Sequence, residues 1–144
     1  MSARRPEAGL RSGSLTPEQF ADLVPVSRET LDRLAAYLDL LRRWQRTINL
    51  VGTGTLTDPW RRHILDSAQL THLLPEGARR LVDLGSGAGL PGLILAIMGV
   101  PEVHLIESDR RKAAFLREAA RATATPVTVH TCRLEAAPPL AFPA

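Results

Sequence analysis

The chain has 144 residues, with 18 basic against 15 acidic, for a formal net charge of +3. At 44% hydrophobic and 23% charged it has ordinary globular values, which exclude a disordered chain, a collagen-like chain and a disulfide scaffold. The single Cys132 cannot pair internally, and no apolar run reaches the ~18 residues of a membrane span, so the expected address is the cytoplasm.

Residues 1–14 are polar and rich in Gly, Ser and Arg, and read as a flexible tail without the apolar core of a secretory signal. An N-terminal helical region is expected over residues 15–75. Thr16, Pro17 and Gln19 spell a capping box with proline at the first helical position, and Leu15 and Phe20 sit where a hydrophobic staple belongs. Pro25 ends that short helix. Ser27 then caps a second helix whose Leu31, Leu34, Leu38 and Leu41 recur at helical spacing. Thr47 to Thr57, with Asn49, Gly52 and Gly54, reads as a connection. Asp58 reads as the cap of a third helix, with Trp60, Ile64, Ala68 and Leu73 on or near one face and Pro75 after it.

The period then changes. Residues 80–84 form a short apolar run that ends in glycines, and residues 103–107 and 126–130 form two more. Helical stretches at 91–98 and 110–122 separate them. The order β-α-β-α-β predicts an α/β fold with parallel strands and right-handed crossovers, one half of a doubly wound sheet, over residues 79–144.

The informative motif lies between the first strand and its helix, from Asp83 through Gly85, Ser86, Gly87, Ala88, Gly89, Leu90 and Pro91 to Gly92. Glycines there permit a tight turn and close approach of a ligand to the backbone. The dinucleotide fingerprint would need glycine at position 90, which is Leu. This spacing suits a cofactor without a pyrophosphate, and S-adenosyl-L-methionine is the usual one. Glu107 ends the second strand, where an acid accepts hydrogen bonds from ribose hydroxyls, and Ser108 follows it. Leu134 and Glu135 follow the third strand, where an apolar group packs on adenine and an acid or backbone group meets its polar edge. A tight turn that binds nothing, a helix-capping acid and an ordinary loop acid are the bland alternatives for these three features.

No Ser/His/Asp or Cys/His constellation is visible, and the four histidines and one cysteine lack metal-ligand spacing. His63 and Asp66, at i and i+3, read as a structural pair before a catalytic one. All but one of the 18 basic residues are Arg, the exception being Lys112. Arg42, Arg43, Arg46, Arg61, Arg62, Arg110, Arg111 and Lys112 are candidates for phosphate contact, or a solvated face.

Four segments resemble the bacterial 16S rRNA guanine-N7 methyltransferases of the RsmG type, also called glucose-inhibited division protein B. They are residues 37–50, the Arg62-His63-Ile64-Leu65-Asp66-Ser67 segment, residues 82–92 with the Gly89-Leu90-Pro91-Gly92 tail, and residues 105–116. The resemblance runs over roughly residues 27–135. It implies a partial class I methyltransferase (Rossmann-like) sheet with a helical N-terminal region, acting as a monomer on 16S rRNA or the small ribosomal subunit, with no membrane partner. It also implies Gly85 and Leu90 as cofactor-loop contacts, Glu107 as the ribose acid, and Leu134 and Glu135 as adenine contacts. The family continues past the third strand with further strands and helices. The chain is therefore expected to be truncated, and an inactive fragment retaining at most cofactor or RNA binding is the alternative.

Overall fold

A capping box opens the first helix of the computed structural model, which describes residues 13–133 and 135. Gln19 N–H donates to Thr16 Oγ1 at 3.1 Å and Thr16 N–H donates to Gln19 Oε1 at 2.9 Å, and α1 (Pro17–Leu23) follows. Leu15 and Phe20 are both buried. Ser27 caps the next helix through its side chain alone: its Oγ accepts from Thr30 N–H at 3.0 Å and starts α2 (Arg28–Gln45). One face of α2 buries Leu34, Tyr37, Leu38 and Leu41, while Asp32, Asp39, Arg42 and Arg43 stay exposed.

The next stretch departs from the sequence expectation. The connection ends in a 3-10 turn, Thr53–Thr57. The Asp58 carbonyl accepts the first helical bond, from Arg62 N–H at 2.9 Å, but its side chain caps no backbone N–H of the run after it. Its carboxylate instead accepts from Leu15 N–H at 2.8 Å and pairs with the Arg61 guanidinium, so it joins positions 43 apart in sequence. A carboxylate offered a charged partner and a distant backbone donor outcompetes its own local cap geometry. The helical run comprises a π turn (Trp60–Leu65), one α turn, α3 (Asp66–Ala68), and a 3-10 turn (Gln69–Leu73). Trp60, Ile64 and Ala68 are buried as the spacing expects, but Leu73 is 76% exposed. The final tightening to three residues per turn carries Leu73 off the buried face.

Three strands follow, β1 (Arg80–Leu84), β2 (Glu102–Glu107) and β3 (Thr128–Thr131), with α4 (Gly92–Ile97) and α5 (Arg110–Ala122) between them. They form one parallel sheet in the order β1-β2-β3, with Leu81 opposite Val103 and Leu105 opposite Val129. β3 starts after Pro126, which has no N–H to give the ladder.

Both crossover helices lie against the sheet, and α2 packs on both of them. The core is therefore continuous. It joins Leu34, Tyr37 and Leu41 of α2, Leu93 and Ile94 of α4, Phe115 and Leu116 of α5, and Leu105 of β2. Trp44 meets Phe115 edge-on at 5.6 Å, and Trp60 lies 5.5 Å from Phe20, so both tryptophans serve packing. No helix among the described residues is long and apolar enough to cross a membrane.

Candidate functional site

The glycine loop sits at the C-terminal ends of β1 and β2, the end of an open parallel sheet where ligands bind. Three of its residues are left-handed: Gly85 at φ +70°, Gly87 at φ +55° and Gly89 at φ +87°. Side chains with a Cβ rarely adopt this region, so the sequence folds into this turn because glycine recurs at every second place.

Hydrogen bonds then hold the turn. Gly85 N–H and Ser86 N–H donate to the Ile106 carbonyl at 2.9 and 3.0 Å. Ser86 Oγ donates to the Asp83 carbonyl at 3.0 Å, and Gly89 N–H to the Ser86 carbonyl at 2.8 Å. Gly87 N–H donates to Glu107 Oε1 at 2.7 Å, while Glu107 Oε2 accepts from Asp109 N–H at 2.9 Å. Glu107 is only 7% exposed, yet each carboxylate oxygen retains acceptor capacity beyond these bonds. Asp109 in turn caps α5, accepting from Arg111 and Lys112 N–H. Those bonds hold the Asp109 carboxyl below the usual range.

Gly85, Ser86, Gly87, Gly89, Leu90 and Glu107 are thus brought together around one turn. Ser108 follows Glu107 and is exposed. Glu135 is exposed beyond β3, and Leu134 lies outside the described residues.

Three residues that build this turn carry no role in the sequence reading. Asp83 Oδ2 accepts from Gly92 N–H at 2.9 Å across the start of α4. Burial pushes the Asp83 carboxyl above its ordinary range, the Glu107 charge adds to this, and the Gly92 N–H opposes it. Gly92 fits because it has no side chain: a Cβ there would lie 2.6 Å from both Asp83 Oδ2 and Leu105 Cδ2. Tyr37, fully buried on α2, donates its hydroxyl to the Ala88 carbonyl at 2.7 Å. Burial raises its phenol far above the ordinary value, which keeps the proton on the donor. The helical region is therefore bonded directly to the loop. Position within an aromatic-poor helix marks Tyr37 as unusual, but no local spacing reveals its partner.

A cleft of about 230 Å³ opens beside the loop, with Leu90 and Pro91 on one wall and Arg62, His63, Asp66, Ser67 and Leu70 on the other. His63 does not pair with Asp66; its Nε2 lies 2.7 Å from Thr55 Oγ1. Burial lowers the His63 pKa below its ordinary value, Arg62 lowers it further, and Asp66 opposes both. The unfolded chain therefore binds this proton more readily than the folded one. Stability from this group is complete above the ordinary histidine value of about 6.5 and is lost as pH falls below it. Denaturation midpoints should accordingly drop between about pH 7.5 and 5.5, and His63→Gln should flatten that slope; an unchanged slope would contradict it. Among the described residues no group of three or more His, Cys, Asp or Glu is placed to hold a metal. Of the arginines suggested for phosphate contact, Arg61 is engaged by Asp58, while Arg42, Arg43, Arg46, Arg62, Arg110 and Arg111 are exposed.

Comparison with known proteins shows the family of the chain. The family described as rRNA small subunit methyltransferase G, GidB, matches residues 30–141. A protein of Rhodospirillum rubrum named ribosomal RNA small subunit methyltransferase G is 68% identical over 124 residues, 86% of this chain and 62% of its own length. Proteins of the same name from Rhodospirillum centenum and Paramagnetospirillum magneticum are 66% and 63% identical, over 89% and 86% of this chain. The chain spans 59% and 60% of those two relatives, and so about six-tenths of the curated proteins it matches. A glycine turn on a parallel sheet, with the family match running from α2 through that turn and past β3, leads to one conclusion: the chain belongs to the GidB family of rRNA small subunit methyltransferase G proteins.

Proposed function

We propose that this chain carries the S-adenosyl-L-methionine-binding face of an enzyme that methylates N7 of a guanine in 16S rRNA, as naked RNA or in the small subunit, in the cytoplasm. One observation supports this above others. The left-handed glycine turn leaves room at Gly85 and Gly87, where an added Cβ would meet nothing within 4 Å, and Gly87 N–H is bonded to the Glu107 carboxylate beside it.

The residues present fit the cofactor. Backbone at Gly85, Ser86, Gly87 and Gly89 would lie along it, Leu90 would give apolar contact, and Glu107 would accept from ribose hydroxyls. Ser108, Leu134 and Glu135 complete the proposed set around the adenosine. When bound, S-adenosyl-L-methionine supplies an electrophilic methyl group on a sulfonium.

The protein's part is small in chemical terms. Guanine N7 carries a lone pair and no proton, so no residue has to act as a general base. Alignment is what the chain provides, by holding a turn whose geometry is set before any ligand arrives.

Calorimetric titration with S-adenosylhomocysteine tests the reading. The chain should bind it and should not bind NAD. Glu107→Gln keeps one acceptor but loses the charge, and should weaken binding about tenfold. NAD binding alone would sink the proposal. Labelled methyl transfer to 16S rRNA then separates the active enzyme from a chain that only binds.

A further inference from the structure

The cleft beside Leu90 has a chemistry that the cofactor set leaves unused. Its loop wall is apolar, Leu90 and Pro91, and Leu70 adds to it from the helical run. Asp66, Ser67 and Arg62 also line the cleft, and they bring a carboxylate, a hydroxyl and a guanidinium to it. Among the described residues these three groups have no hydrogen-bond partner, although Ser67 is only 5% exposed. Arg62 and Asp66 are exposed, so their hydrogen-bonding capacity is open to a ligand that enters the cleft. The shape suits a flat ligand with apolar faces and a polar edge, and a volume of about 230 Å³ accommodates one purine base.

We infer that this cleft holds the acceptor guanine, taken out of its stack, and that Asp66 selects it. The inference rests on the methyltransferase reading above. Guanine shows two adjacent donors, N1–H and N2–H, along one edge, and a carboxylate accepts both side by side. Its N7 lies on the far side of the purine. A base held by Asp66 therefore turns N7 toward the opposite wall, where Leu90 ends the cofactor loop. Adenine offers an unprotonated N1 at the same place, which repels a carboxylate. Hypoxanthine lacks the N2 donor. Arg62, exposed at the rim, is placed for the flanking phosphate. Enzymes that modify a base act on unpaired or extruded nucleotides, and the edge opposite the reacting atom is then free for reading.

Asp66 is exposed and bonded to nothing in the fold, so Asp66→Asn leaves folding intact and reverses one donor–acceptor position. The test uses the whole chain and NMR shift titrations with GMP, IMP and AMP, alongside S-adenosylhomocysteine. GMP should bind in the millimolar range, about tenfold better than AMP, with IMP between them, and should shift residues 62–67 and 90–91. Asp66→Asn should bring GMP and AMP within about twofold of each other, Asp66→Glu should restore part of the preference, and S-adenosylhomocysteine affinity should not change. If S-adenosylhomocysteine binds but GMP does not, or is not preferred, or stays preferred in Asp66→Asn, the base assignment falls and the cofactor reading stands. If S-adenosylhomocysteine itself fails to bind, the methyltransferase reading falls and takes the assignment with it.

Discussion

Gly92→Ala should lower stability by about 3 kcal/mol in urea denaturation, at the upper end for overpacking a well-packed site. The new methyl would lie 2.6 Å from Asp83 Oδ2 and Leu105 Cδ2, and 2.8 Å from Asp83 Cβ. None of these is the tip of a flexible chain on the surface, since Leu105 is wholly buried and Asp83 Oδ2 is bonded to Gly92 itself. Relief would require α4 to move off β1 and β2, and that movement would break the Asp83–Gly92 bond. Gly85→Ala is the control. Its Cβ meets no atom, so only the left-handed backbone is penalised, at about 1 kcal/mol. Equal losses in the two variants would show that close packing at Gly92 is not what holds α4 against the sheet.

Tyr37→Phe should cost about 2 kcal/mol, because it leaves the Ala88 carbonyl without its donor in a site closed to water. The ring keeps its contacts with Phe115, 6.1 Å away, so little of the loss comes from packing. Amide hydrogen exchange should locate the effect at residues 85–89, far from the substitution in sequence. A loss below about 0.5 kcal/mol would mean that the bond does not secure the loop.

Much of the fold was legible because its signals are local. The capping box at Thr16 and the side-chain cap at Ser27 need only neighbouring residues, and β1 and α5 have the expected bounds because glycine and Asp109 punctuate them. The differences have two physical origins, competing partners for Asp58 and His63 and a changing helical period for Leu73. Asp58 has the composition of a cap, but Leu15 N–H and Arg61 compete for it, and Leu15 is remote in sequence. His63 and Asp66 have the spacing of a helix pair, but Thr55 takes the imidazole from a preceding turn. Leu73 was placed on a stripe whose period changes twice within one helical run. At the site, the glycine spacing and Glu107 were visible as a pattern. The supports were not: Tyr37 reaches Ala88 across 51 positions, and Asp83 meets Gly92 only after the turn has closed.

The bonds that close the glycine turn have a thermodynamic consequence. Asp83, Glu107, Tyr37 and the Ile106 carbonyl together restrain residues 85–92 from several directions. The conformational entropy of that segment is lost when the protein folds, and an incoming ligand has little left to freeze. Association should then be limited by diffusion and desolvation, with no slow ordering phase, and affinity should track the stability of the fold beneath the turn. Side chains that never touch a ligand would tune its residence time through the stiffness of the mould they hold in shape.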